Sequence, residues 1–336
     1  MKIGILRGQE NTFPEALIQR LNEKSKKQQL DLSADFVKLG GVRMDEPADY
    51  RLIIDRISHE IDFYRAYLKN AVLAGTEVIN NPFWWSADDK IFNYALADRL
   101  GVAAPRTAVL PHNTHPPNTT SESMRNLIYP LDWSRVFAYV GFPAFLKPFS
   151  GGGWKHVYHV HNADEFFHFY NQTGTLCMIL QEAIDFTEYY RCYCIGRQMV
   201  HIMPYDPRQP HEERYVKSAP AVAASLEKRI TSDCLTLCNA LGYDINTLEF
   251  AVRNGIPYAI DFLNPAPDAD YHSVGPVNFE WMVEAVSDLA IARSRRKVNV
   301  SKEYLWSNFL SGQGAPANET KSKPARRSAG TRKSQI

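Results

Sequence analysis

The chain has 336 residues, 45% hydrophobic and 12% aromatic, enough to bury a large core and build two or more packed lobes. Its 38 basic and 37 acidic side chains nearly cancel to a net charge of +1, which excludes an overall field that draws in nucleic acid or an anionic membrane surface. No apolar run approaches the roughly 20 residues of a spanning helix, and Met1-Lys2 leads directly into a strand-like run. A cytoplasmic protein with neither nucleic-acid nor membrane partners is therefore expected. Homo-oligomerisation is left open.

In chain order, Lys2 to Leu6 reads as an apolar strand ending at Arg7-Gly8, and Pro14 to Asn22 has helical spacing in Ala16, Leu17, Ile18 and Leu21. Ala34 to Leu39 and Tyr50 to Ile57 are further strands, Ser58 is placed to cap a helix from Glu60 to Leu73, and Thr76 to Asn80 closes a small parallel α/β domain over residues 1–80. Ligands in such sheets sit beyond the carboxyl ends of strands, which makes Arg7 and Arg56 candidates for holding an anionic substrate group. A helix from Asp88 to Leu100 carries Lys90 near its start, and residues 111–130, rich in Pro, Thr, Asn and Ser, read as a loop insertion. Ala144 to Lys147 is a strand closed by Pro148, followed by Ser150-Gly151-Gly152-Gly153-Trp154 and a second strand, Val157 to Val160.

Asp164 to Tyr170 reads as a helix, Met178 to Gln181 as a strand, and Tyr189 to Ile195 with Gln198 to Met203 as a hairpin. A helix follows over Ala221 to Leu241. Cys234 and Cys238 share one of its faces, and Cys192 and Cys194 alternate on a strand. With an odd total of five and no zinc-site spacing, the cysteines are expected to be reduced core thiols. Leu248 to Val252 and Tyr258 to Leu263 are strands joined at Asn254-Gly255, a strong hairpin signal. That hairpin brings Glu249 near Asp261 and Asn264. Half-buried carboxylates repel unless neutralised, and a hard divalent cation such as Mg²⁺ does this with oxygen ligands. Phe279 to Arg293 is a last helix, and residues 311–336 form a polar basic tail expected to be disordered.

Ser150 to Gly153 can bring backbone N–H groups against phosphate oxygens, and lysine ammonium groups suit phosphate. The order of elements carries more than any one of them: Lys90 on an early helix, Lys147 before a glycine loop, Gln181-Glu182-Ala183-Ile184, Glu188 with Arg191, then Glu249, Asp261 and Asn264-Pro265. This order resembles the ATP-grasp superfamily, in particular its glutathione synthetase-like and ribosomal S6 modification ligase-like branches, over residues 75–290. The resemblance implies an α/β chain: an N-terminal parallel α/β domain preceding a two-subdomain α+β ATP-grasp fold. The lid subdomain would span residues 81–178 and the metal-bearing subdomain 179–310.

The resemblance further implies that Lys90, Lys147 and Ser150 to Gly153 hold ATP phosphates. Gln181, Glu182 and Ile184 would hold adenine, Glu188 the ribose, and Arg191 the transferred phosphoryl group. Glu249, Asp261 and Asn264 would hold Mg²⁺ or Mn²⁺. The family's acidic motif is usually Glu-x-Asn, whereas Asp261 and Asn264 lie three apart, so a regular strand points them to opposite faces and a bulge or bend must restore convergence. The implied activity is joining a carboxylate to an amine, on a small molecule or a peptide, through an acyl phosphate. Phosphorylation of a small-molecule hydroxyl, and a non-catalytic ATP-binding regulator, are the alternatives.

Overall fold

Strand β1 (Lys2–Leu6) is an apolar run with Ile3 and Ile5 fully buried, the pattern of a strand covered on both faces. In this computed structural model, which describes residues 1–45, 47, 49–83, 90–150, 155–216 and 219–296, β1 pairs in parallel with β2 (Ser33–Phe36) and β3 (Leu52–Asp55). β4 (Glu77–Ile79) extends the sheet beside β3 in the order β2-β1-β3-β4. Helices α1 (Thr12–Lys27) and α2 (Asp62–Leu73) connect β1 to β2 and β3 to β4. Ser58 does not cap α2. Ile61 is the flanking residue, and the Ser58 hydroxyl donates to Asp55 instead.

Helix α3 (Lys90–Arg99) leads into a second sheet, which is antiparallel. It is built from β5 (Thr107–Leu110), β6 (Ala144–Pro148), β7 (Tyr158–Val160) and β8 (Met178–Glu182) in the order β5-β8-β6-β7. Helices α4 (Trp133–Val140) and α5 (Ala163–Tyr170) flank it. Trp133, Phe137, Phe166 and Tyr170 pack edge-to-face and stacked at centroid separations of 5.0 to 6.1 Å, giving this lobe its own aromatic core.

The third sheet runs β10-β9-β11-β12, from β9 (Glu188–Ile195), β10 (Met199–Pro204), β11 (Ile245–Arg253) and β12 (Ile256–Asp261). Alternation along β9 sends Tyr190, Cys192 and Cys194 to the face covered by α6 (Ala224–Leu241), while Tyr189, Tyr193 and Ile195 face a core shared with α1, β1 and α7 (Tyr271–Arg295). Helix α7 begins earlier than its apolar periodicity predicts. Asp270 caps its first turn by accepting the His272 N–H at 3.0 Å, and Gly275, at φ +77°, carries the chain through a kink before Pro276. Asn254 and Gly255 both adopt positive φ, +54° and +74°, which closes the β11–β12 hairpin in two residues.

One buried amide joins the first and third sheets. Asn80 donates through Nδ2 to the Ile245 carbonyl (2.7 Å) and accepts at Oδ1 from the N–H groups of Asp244 (2.8 Å) and Ile245 (2.9 Å). This fixes the start of β11 to the end of β4. The expected basic tail at 311–336 lies outside the described residues.

Candidate functional site

The register of the β11–β12 hairpin decides what its acids can do. Phe250 pairs with Ala259, but Glu249 pairs with Asp261, so Ile260 is an extra residue, a β-bulge. Directly opposed residues share a face, and the bulge therefore aims the Glu249 and Asp261 carboxylates to the same side. The bulge lies before Asp261 and so does nothing for Asn264. Asn264 follows the end of β12, its N–H donates to the Asn246 side chain at 2.9 Å, and it is not among the residues that line the cavity described next.

A cavity of about 370 Å³ lies between the second and third sheets. Lys90, Lys147, Ser150, Gln181, Glu182, Ile184, Glu249 and Asp261 line it, together with Phe145, Lys155, His156, Phe186 and Tyr189. Lys147 is presented by β6. Its Nζ donates to Gln181 Oε1 (2.8 Å) and to the Tyr94 hydroxyl (3.3 Å), and Gln181, 2% exposed, is itself held by donating through Nε2 to Thr107 Oγ1 (2.9 Å). Burial pushes the Lys147 ammonium below its ordinary value, against the opposing pull of Asp261 and Glu249. The main-chain N–H of Lys90 donates to the Phe149 carbonyl (3.3 Å), anchoring the start of α3 beside the end of β6.

Glu249 is engaged at both oxygens. Tyr189 donates to Oε2 at 2.6 Å, and Arg191 Nε lies 3.7 Å from Oε1. Burial lifts the Glu249 carboxyl above its ordinary range; Arg191, Tyr189 and Lys147 oppose that shift and the Asp261 charge adds to it. Asp261 is exposed to the cavity, and among the described residues its carboxylate accepts no hydrogen bond. Two crowded acids, one of them with free lone pairs, fit a hard cation completed by phosphate oxygens. Among the described residues no group of three or more His, Cys, Asp or Glu is disposed to hold a metal ion.

Other expected residues fall elsewhere. Arg191 borders Glu249 with its guanidinium 5.4 and 5.8 Å from the Tyr205 and Tyr215 ring centroids, outside the cavity lining. Glu188 shares the opposite face of β9 with Tyr190, whose hydroxyl donates to it, and does not reach the cavity. Glu182 lines the cavity, but its carboxylate is held by Arg106 (3.1 Å) and Arg253 (2.9 Å). Arg56 is a correction to the substrate-binding expectation: its side chain is fully buried, forks onto the Glu10 carboxylate and donates to the Pro267 carbonyl. Arg7 is exposed, 3.6 Å from Glu15 and 4.7 Å over the Phe36 ring. Gly151, Gly152 and Gly153 lie outside the described residues. Tyr94, Lys155, Phe186 and Tyr189 were missed, because nothing in their local spacing ties them to residues that meet them only in three dimensions.

A small parallel domain followed by two antiparallel sheets, with lysines facing carboxylates across the cleft between those sheets, defines the ATP-grasp fold, and this chain has it. Solved structures agree over nearly its whole length. The D-alanine–D-alanine ligase from Bacillus anthracis, in complex with ATP, matches at 15% identity and TM-score 0.61, covering 88% of this chain and 98% of that one. The RimK domain ATP-grasp protein from Sphaerobacter thermophilus matches at 15% identity and TM-score 0.61, covering 87% and 98%. The macrocyclase MdnC from Microcystis aeruginosa, bound to its precursor peptide MdnA, matches at 15% identity and TM-score 0.56, covering 87% and 100%. No protein-family model matches the chain, and no curated protein matches it by sequence. No helix among the described residues is long and apolar enough to cross a membrane.

Proposed function

We propose that this protein is an ATP-dependent ligase that joins a carboxylate to an amine. The supporting observation is the convergence of Lys90 and Lys147 with Glu249 and Asp261 on one cavity, in a fold shared with solved carboxylate–amine ligases. ATP enters as substrate, with its adenine against the apolar walls of Ile184 and Phe186 and its phosphates toward Lys90, Lys147 and Ser150. Glu249 and Asp261 would hold Mg²⁺ or Mn²⁺, which when bound supplies positive charge to the β- and γ-phosphate oxygens. The substrate carboxylate attacks the γ-phosphorus, ADP leaves, and the amine displaces phosphate from the acyl phosphate. Lys147, pre-set by Gln181 and Tyr94, stabilises the charge that moves onto the β–γ bridging oxygen. Arg191, behind Glu249 and outside the cavity lining, offsets the Glu249 charge and holds that carboxylate in place.

The test is ADP release from ATP and Mg²⁺ across a panel of amino acids and short peptides, with hydroxylamine added to trap acyl phosphate as hydroxamate. Release that needs both a carboxylate and an amine, with hydroxamate formed when hydroxylamine replaces the amine, is the expected result. Release driven by an alcohol alone would make the protein a kinase, and nucleotide binding without acceptor-dependent turnover would make it a regulator; either overturns the ligase reading.

A further inference from the structure

At the far end of β9 from Tyr189, a second cavity of about 450 Å³ opens between the β9–β10 turn and the last turns of α7. It shares no lining residue with the first, and from Tyr189 to Ile195 the strand advances about 20 Å, so the two are separate. Arg197, Arg293 and Arg296 line it, and their ion pairs form a row. Arg197 Nε donates to Asp244 Oδ1 (2.8 Å), and Asp244 Oδ2 is paired with Arg293. Arg293 Nη1 donates to Glu77 Oε1 (2.9 Å), and Arg296 Nη2 donates to the same oxygen (2.8 Å). Cations and anions alternate, three guanidiniums to two carboxylates, and a guanidinium stands at each end. Among the described residues, the Arg197 side chain donates through Nε alone and the Arg296 side chain through Nη2 alone. Both side chains are partly exposed, so their remaining N–H groups are open to a ligand.

We infer that this cavity is a phosphate-group site, in which one oxyanion bridges Arg197 and Arg296 and closes the row into a ring of three cations and three anions. A row that ends in a guanidinium on both sides carries one surplus positive charge, and the planar N–H forks of arginine match the oxygens of phosphate. Arg293, buried between Asp244 and Glu77, ties the two halves of the row together. Arg197 occupies a left-handed turn position, φ +59°, where glycine or asparagine is the easier residue, and that turn places its side chain on the cavity wall. Asp288, an acid on the same wall, is already paired with Lys24. Met199, Leu289 and Ala292 give the cavity an apolar side that suits a carbon body. Free phosphate and a phosphate monoester therefore share the binding chemistry.

The experiment titrates the full chain, free of nucleotide and Mg²⁺, with inorganic phosphate and with phenyl phosphate in a calorimeter, and repeats both titrations on Arg197→Gly, Arg296→Met and Lys147→Met. Glycine suits the turn, both arginine substitutions leave Asp244 and Glu77 paired with Arg293, and thermal unfolding checks that each variant is folded. The expected result is binding of at least one probe that weakens roughly ten- to a hundredfold in each arginine variant and is unchanged in Lys147→Met. Tighter binding of phenyl phosphate assigns the site to phosphate esters, and phosphate binding as tightly or more so assigns it to the free ion. Binding of neither probe, binding that survives both arginine substitutions, or binding lost in Lys147→Met alone, which places it in the ATP cavity, would each overturn the inference.

Discussion

Replacing Lys147 by Met keeps the side chain's apolar stem and removes its ammonium, and the structure sets what that change does in three separate measurements. For stability, Gln181 Oε1 loses the donor 2.8 Å away while remaining buried, a cost of about 1 to 3 kcal/mol. The burial penalty on the ammonium disappears at the same time, so the net loss should stay below about 2 kcal/mol and the fold should persist. For nucleotide binding, a lost charge-assisted hydrogen bond to phosphate is worth about 1.5 to 3 kcal/mol, or roughly ten- to a hundredfold in affinity. For turnover, removing one pre-organised charge typically costs about 10² to 10³. Calorimetric titration with ATP and Mg²⁺, ADP release and thermal unfolding read the three effects. A folded Lys147→Met variant that binds ATP with unchanged affinity and turns over normally would refute the assignment of this lysine to the phosphates.

The remaining expectations concern charge and anchoring. The Glu249 carboxyl is raised by burial, so its share of apo stability is present below its unfolded value and lost as pH rises through the folded one. Glu249→Gln should therefore raise the apo melting temperature at neutral pH while abolishing Mg²⁺-supported nucleotide uptake. In the native protein, that uptake should fall with acidification at a midpoint above the ordinary glutamate value of about 4.3, measured by calorimetry across pH. Arg56→Leu strips the partner from a largely buried Glu10 and should destabilise by about 3 kcal/mol or more in urea unfolding, leaving KM for substrates unchanged. Asn80→Ala leaves the buried groups at the start of β11 unpaired and should cost about 2 to 4 kcal/mol, read by the same unfolding curve.

What could be read from the chain was what is local. Asn254-Gly255 between alternating strands specifies the hairpin by its own turn chemistry, and a lysine closing a strand before Pro148 marks Lys147. The short elements β5 and α4 escape that reading. Arg56 looked like a ligand group because it ends a strand, but its carboxylate partner Glu10 lies 46 residues away and only the folded sheet brings them together. The side-chain role of Gln181, the Tyr189 bond to Glu249 and the Asn80 junction depend in the same way on long-range pairing. The three-residue gap between Asp261 and Asn264 signalled irregular backbone, and the irregularity came one residue earlier than that gap suggested.

The extra residue at Ile260 makes pairing register, more than side-chain identity, the quantity under constraint near the carboxylates. Held in a regular ladder at its present length, β12 would set Ile260 opposite Glu249 and turn the Asp261 side chain toward α6, stranding an acid in an apolar layer. A deletion that removed the extra residue would keep Asp261 opposite Glu249, whereas an insertion would need a second bulge to do so.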